Sequence, residues 1–264
     1  MFALWVPILT KAVSTALVVV LASALAEVVG PFWGALVASL PVSAGPAYVF
    51  LAMQHDRGFV AASALTSFAA NAATGVFLTV YAMKARQLPL WRGLGAALAT
   101  WLAASLMIRG IAWTPAKAIV LNLIVYGTGF LMLRGMPTTA PRSHTVTIRR
   151  WFDLPLRAAA IAMFVSGVVV FSSMLGPEAT GIATVFPISL TSLIIILQPR
   201  IGGSASALLA VTALRAMLGF GLALLALHLA IQPWGAAPAL LVALLVSLSW
   251  SGGLLVLKGR SRIG

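Results

Sequence analysis

One arginine near the middle of an apolar run has the clearest chemical consequence in this sequence. Arg215 lies about a dozen residues from each end of the stretch 203–230, a depth at which a guanidinium in a bilayer costs at least ~3 kcal/mol on insertion scales. A charge so placed is expected to face the bundle interior and to have a partner. A substrate anion, an ion pair with Glu27 or Glu178, and a side chain snorkelling along small neighbours all satisfy it. Asn71 occupies the matching depth of the stretch 59–83. Ser63, Ser67 and Thr74 recur with it at helical spacing, so four polar side chains share one face. That stripe suits hydrogen bonds to a substrate, and it suits close helix packing with interhelical hydrogen bonds equally well.

Prolines mark the second chemical feature. Pro41, Gly45 and Pro46 interrupt the stretch 32–53, and Pro187 with Ser189, Thr191 and Ser192 interrupts 178–197. A proline inside a helix frees a carbonyl and blocks the preceding turn. In lipid those groups must find partners or line a wet cavity. Paired broken helices point to a midplane site, because half-helix N-termini present positive dipole ends. Ser43 and Ser189, two residues after each proline, are the candidate hydrogen-bond donors; an ordinary kink satisfied by hydroxyls gives the same pattern.

Glu27 and Glu178 flank two Gly-Pro turns and are the candidates for proton coupling, with an interfacial charge or helix-end partner as the simpler role. His55, with Asp56 and Arg57, forms a short polar loop; His228 lies near a helix end and His144 in a polar connector. The four acidic residues are far apart in sequence and the histidines lack zinc-type spacing, so neither clustered-carboxylate chemistry nor a metal is expected. Ser166-Gly167 and Ser251-Gly252 lack the preceding glycine of an intramembrane serine protease, and no Walker sequence occurs. The expectation is a non-enzyme without cofactor.

The elements that position these residues are written twice. Gly30-Pro31, nine residues, Pro41-Val42-Ser43 recurs as Gly176-Pro177, nine residues, Pro187-Ile188-Ser189, at an offset of 146, with Lys11 matching Arg157. After a two-residue deletion Gln54, Gly58, Leu65 and Gly75 match Gln198, Gly202, Leu209 and Gly219; one further residue lost brings Trp91 onto Trp234. In a chain that is 61% hydrophobic, matched Ala and Leu mean little, whereas matched Pro, Gly, Gln and Trp in one order indicate duplication.

With 8% charged residues and a mean hydropathy of +1.07, the composition excludes a soluble domain. Nine spans fit, near 8–28, 32–53, 59–83, 91–108, 116–134, 156–175, 178–197, 203–230 and 236–257. The expected fold is an all-α polytopic membrane protein of about nine transmembrane helices. Residues 1–112 form the first four-helix repeat, 113–155 a linker helix and connector, and 156–264 the second repeat. Five spans separate corresponding helices, so the repeats are expected to be inverted.

The chain has 17 basic residues against four acidic ones and no cysteine. The basic residues lie almost entirely between apolar runs, which makes them topology signals and contacts to anionic lipid rather than to nucleic acid. Twelve fall on one side of the nine-span arrangement and four on the other. This predicts an inner-membrane protein with its N-terminus outside and its C-terminus and the loop 134–157 in the cytoplasm.

Gly181-Ile-Ala-Thr-Val-Phe-Pro-Ile-Ser, Ile196-Leu197-Gln198-Pro199 and the following small residues with Leu214-Arg215 and Gly219 together resemble membrane segments of the fusaric-acid-resistance, or aromatic acid exporter, type. The likeness covers about 45 residues per repeat and implies export of organic acids. Pro187 departs from that pattern, and the sequence lacks the large soluble region of many members. Small GlpM-type membrane proteins, with a proline-broken second helix, are similar to a comparable degree. The expected function is secondary transport of a small organic anion by alternating access. Arg215, Asn71, Ser43 and Ser189 are its expected contacts, at the breaks made by Pro41 and Pro187. The alternative is a non-catalytic accessory subunit of a larger membrane system.

Overall fold

The computed structural model describes residues 44–136 and 153–260. In order among those residues the helices are α1 (Ala44–Gln54), α2 (Arg57–Lys84), α3 (Leu90–Ile108), α4 (Pro115–Leu133), α5 (Asp153–Thr184), α6 (Ile188–Trp234) and α7 (Ala236–Arg260). No strand occurs among the described residues. Glycines with positive φ divide two of the helices: Gly176 (φ 74°) splits α5 into α5a (153–175) and α5b (177–184), and Gly202 (φ 79°) splits α6 into α6a (188–201) and α6b (203–234). Only glycine adopts that left-handed backbone without a Cβ penalty, which is why the chain turns there without leaving the helical register for long.

The ends of the helices follow from local chemistry. The Asp56 carboxylate accepts from the Phe59 amide (2.8 Å) at the start of α2. The Thr114 hydroxyl accepts from the Lys117 amide (3.3 Å) and Pro115 occupies the first helical position of α4, where its missing N–H is not needed. Five helical stretches among the described residues are long and apolar enough to cross a membrane, so this part of the chain is all-helical and compatible with a multi-pass membrane protein. The expected spans from 59 onwards coincide with observed helices to within about four residues at every end, apart from the segment expected at 178–197, which is two half-helices.

At the centre lies α2. Of its most apolar stretch 83% is buried, against 11% for α7, so α2 is enclosed by protein and α7 turns most of its surface outward. The reason is composition: Ala, Ser, Thr, Gly and Asn dominate α2, and small residues let neighbouring backbones approach from every side. Its most extensive packing is with α6b, which runs antiparallel to it over the full length. Arg57 Nη1 donates to the Gln232 carbonyl (3.3 Å), His228 Nδ1 meets the Ala61 carbonyl (2.8 Å) and Asn71 Nδ2 donates to the Met217 carbonyl (3.2 Å). At the far end the Gly203 backbone lies against the Ala85 carbonyl. Around α2 also pack α3, α4 and α5, while α7 packs on α6.

Candidate functional site

Between α5b and α6a the chain breaks in the middle of an apolar segment. The end of α5b tightens, with Val185 N bonded to the Ile182 carbonyl (3.3 Å) and Phe186 N to the Ala183 carbonyl (3.0 Å), the shorter spacing of a 3₁₀ turn. Pro187 cannot continue the ladder, and its ring pushes Phe186 out of helical geometry. Ile188 N then closes a three-residue turn on the Phe186 carbonyl (2.7 Å), with Pro187 at φ −78° and ψ 47°, the inverse γ-turn. Thr191 N reaches the Pro187 carbonyl (2.8 Å) and α6a is under way.

The carbonyl released by the break is satisfied from α2. Thr74 Oγ1 donates to the Val185 carbonyl (3.2 Å) and itself accepts from Trp101 Nε1 on α3 (3.3 Å). Two turns earlier Ser67 Oγ donates to the Gly181 carbonyl (2.6 Å) and receives the Tyr48 hydroxyl of α1 (2.6 Å). The polar stripe of α2 is therefore the cradle of α5b, and α1, α2, α3 and the half-helix meet around it. Gly181 allows this: a Cβ there would collide with the Ser63 carbonyl.

On the other side of the break stands a charge. Arg157, in the first turns of α5a, sends Nη2 to Ser189 Oγ (2.9 Å), and both residues are buried, 8% and 6% exposed. Ser189 sits in the first turn of α6a, whose leading amides face the break because no carbonyl precedes them in the helix. The guanidinium thus lies beside the positive end of a half-helix. In the sequence Arg157 stands out only through its match to Lys11, and its place at the edge of a span reads as a topology charge. The length of an arginine side chain carries the head group inward from that edge to the break.

A second polar node lies where α2, α4 and α6b meet. Asn71 Nδ2 donates to Met217 O and to Asn122 Oδ1 (3.3 Å), Asn122 Nδ2 donates to the Phe68 carbonyl (2.8 Å), and the Tyr126 hydroxyl donates to the Asn71 carbonyl (3.2 Å). These bonds, rather than the break, occupy Asn71 Nδ2, while its Oδ1 has no hydrogen-bond partner among the described residues and Thr74 one turn on reaches the break. They fix α4, so Asn122→Ala should destabilise the folded protein by about 1–2 kcal/mol, the upper range for polar side chains between membrane helices. Thermal unfolding in detergent measures it; an unchanged midpoint would show that α4 is held by apolar packing alone.

Arg215 is not in the interior. It is exposed on α6b, with Ala213, Leu214, Ala216 and Met217 turned inward around it. The expectation that it faces the bundle interior is thus corrected. At 100° per residue the close packing of α6b on α2 takes the small and aliphatic neighbours and leaves position 215 on the opposite face. Its carbonyl accepts from Trp250 Nε1 (3.0 Å), and the Trp250 ring lies on Gly219. Asn71, which the sequence pattern aligns with it, is treated alike: Tyr126 donates to its carbonyl and lies on Gly75, which the same pattern aligns with Gly219.

Pro187 is buried at the break, whereas Glu178 is exposed in the first turn of α5b, six residues from Thr184 and at the favourable positive end of that half-helix. Glu27, Pro41 and Ser43 lie outside the described residues. His55 Nε2 meets Ser172 Oγ (2.7 Å) and its ring stacks on Phe59, joining the α1–α2 turn to α5a; His228 bonds the Ala61 carbonyl. No group of three or more metal-ligating side chains occurs among the described residues. Comparison of the chain with protein-family models, with curated proteins and with solved structures finds no match.

Proposed function

We propose that the chain is a secondary transporter of a small organic anion, which binds at the break between α5b and α6a. The observation that carries this reading is the buried Arg157 guanidinium held by Ser189 at the opening of a half-helix. In lipid a broken helix needs its freed groups satisfied or solvated. Here the Val185 carbonyl is satisfied by Thr74, Ile188 N and Thr191 N are bonded to the Phe186 and Pro187 carbonyls, and the Arg157 guanidinium stands beside Ser189 in the first turn of α6a. A cation held at a helix break suits an anionic ligand. Export of an organic acid, which the resemblance to exporter-type segments implies, fits the same site.

The proposal includes nine spans in two inverted four-helix repeats. Support comes from the antiparallel course of α2 and α6b, the counterparts in the two repeats, which touch around Asn71 and Met217 at mid-length. The matched aromatic seats on Gly75 and Gly219 add to it. Alternating access would then rock one repeat against the other along α2 and α6b, with Ser67 and Thr74 carrying α5b.

The same reading puts the inner membrane around the bundle, with the α2–α3 turn in the cytoplasm and the α6–α7 turn outside. Single cysteines at Gln87 and Ala237, both exposed, test it in intact cells. Ala237→Cys should react with an impermeant maleimide from outside and Gln87→Cys only after lysis. The opposite labelling would reverse the orientation and with it the cytoplasmic C-terminus.

Arg215 favours a second reading. An exposed guanidinium at mid-length of an apolar helix is costly against lipid, and a partner helix with a carboxylate at that depth relieves the cost. This is the accessory-subunit reading, in which the break is architectural. A screen of organic anions for stabilisation of the purified protein separates the two. Stabilisation that depends on Arg157 supports transport, and the absence of any stabilising anion supports the subunit.

A further inference from the structure

A groove of about 290 Å³ opens on the flank of the bundle between α3, α5a and α5b, at the small end of the range for ligand pockets. Its floor is aromatic. Trp101 meets Phe186 edge to face with ring centroids 5.0 Å apart, and Phe164 lies 5.3 Å from Phe186 on the other side. Leu102 and Leu106, both exposed, form the open lip, so the groove is accessible from the side of the bundle, where a bilayer would stand. Phe186 belongs to the break itself, between the carbonyl that Thr74 holds and Pro187.

Two polar groups stand in this otherwise apolar wall. Ser105 is 3% exposed and its Oγ has no hydrogen-bond partner among the described residues. Ser105 lies in the last turn of α3, and its hydroxyl, covered at the wall of the groove, would have to turn toward an acceptor that enters it. Arg109 caps the C-terminal end of α3 four residues later, on the same face, and is exposed at the groove's end. The order along α3 is therefore apolar aromatic wall, hydroxyl, cation. A molecule that matches it has a flexible apolar chain ending in a carboxylate.

From this placement we infer that the groove binds a single-chain carboxylate amphiphile taken up laterally from the bilayer. Its chain lies across Trp101, Phe164 and Phe186, and its head group accepts from Ser105 Oγ and pairs with Arg109. A chain lying on Phe186 also presses on the break, so occupancy of the groove stiffens the junction of α5b and α6a. The inference rests on the groove alone and holds whether or not the break transports an anion.

Stearate brominated in mid-chain tests it, with the full-length protein in nanodiscs of phosphatidylcholine and tryptophan fluorescence as the readout. Quenching should be saturable, and Trp101→Phe should remove the saturable part. Ala183→Phe, which fills the groove from α5b, should weaken binding about tenfold. Arg109→Gln should weaken the brominated acid about threefold and leave the corresponding brominated alcohol unaffected, as for an exposed ion pair. Unsaturable quenching in the unmodified protein overturns the inference without any variant of the groove, and quenching unchanged in Trp101→Phe also overturns it. Displacement by anionic phosphatidylglycerol at equal mole fraction overturns it as well, because the occupant would then be a phospholipid chain.

Discussion

Replacing Arg157 with leucine is expected to lower anion transport by roughly 100-fold, the equivalent of about 3 kcal/mol for removing a charge-assisted hydrogen bond from a buried site. The guanidinium is buried against Ser189 in the first turn of α6a, and in the proposed function it is the group that binds the anion. Leucine has similar bulk and no desolvation cost, which lets the folded protein persist. Arg157→Lys keeps the charge but loses the planar fork and should retain an intermediate activity, about tenfold down. Arg215→Leu is the informative companion. Position 215 is exposed and turned away from the break, so transport should stay within about twofold of the unmodified protein. Efflux of a stabilising anion from proteoliposomes, normalised to the folded fraction, measures all three. If Arg157→Leu transports normally the site is elsewhere. If Arg215→Leu alone is dead, the exposed arginine is the binding group.

The largest stability effect is expected at Gly181. A Cβ there would meet the Ser63 carbonyl, with the Thr66 side chain beside it. Backbone cannot be repacked as a side chain can, so Gly181→Val must push α5b away from α2. Overpacking of this kind costs about 3 kcal/mol or more, corresponding to a fall of roughly 10 °C in Tm for a chain of this size. The displacement also stretches Ser67 to Gly181 and Thr74 to Val185, the two hydrogen bonds that hold the half-helix. Val at Gly167, where no atom lies within 4 Å of the added carbon, is the control and should melt close to the unmodified protein. A Gly181→Val protein with an unchanged Tm would mean that the α2–α5b approach is not rigid, and the cradle argument would fall with it.

Much of this architecture is written in the composition and the spacing of special residues. An apolar chain with charges confined between runs has to form membrane-length helices, because hydropathy acts on each segment separately. For the same reason the helices from α2 onwards could be placed to within a few residues. Pro187 marks the break for a local reason too, since it lacks the N–H that the helix needs whatever surrounds it. The hydroxyl stripe of α2 was legible as one face, because helical spacing puts Ser63, Ser67, Asn71 and Thr74 together in any context.

Which way a face points is a different kind of fact. Arg215 and Arg157 are both arginines in apolar surroundings, and depth along the span favours the central one. Packing reversed the order. The register of α6b on α2 turned Ala213, Leu214, Ala216 and Met217 inward and position 215 out, while the bend at Gly176 and the break at Pro187 brought α6a back beside α5a and placed Ser189 at the end of Arg157's reach. The aromatic groove has the same origin, since Trp101, Phe164 and Phe186 come from three elements and share no spacing along the chain. Sequence determined which segments are helices and where they must stop, because those depend on residues a few places apart. Tertiary structure alone decided which charge is buried at the break, because that depends on how helices far apart in the chain rotate against one another.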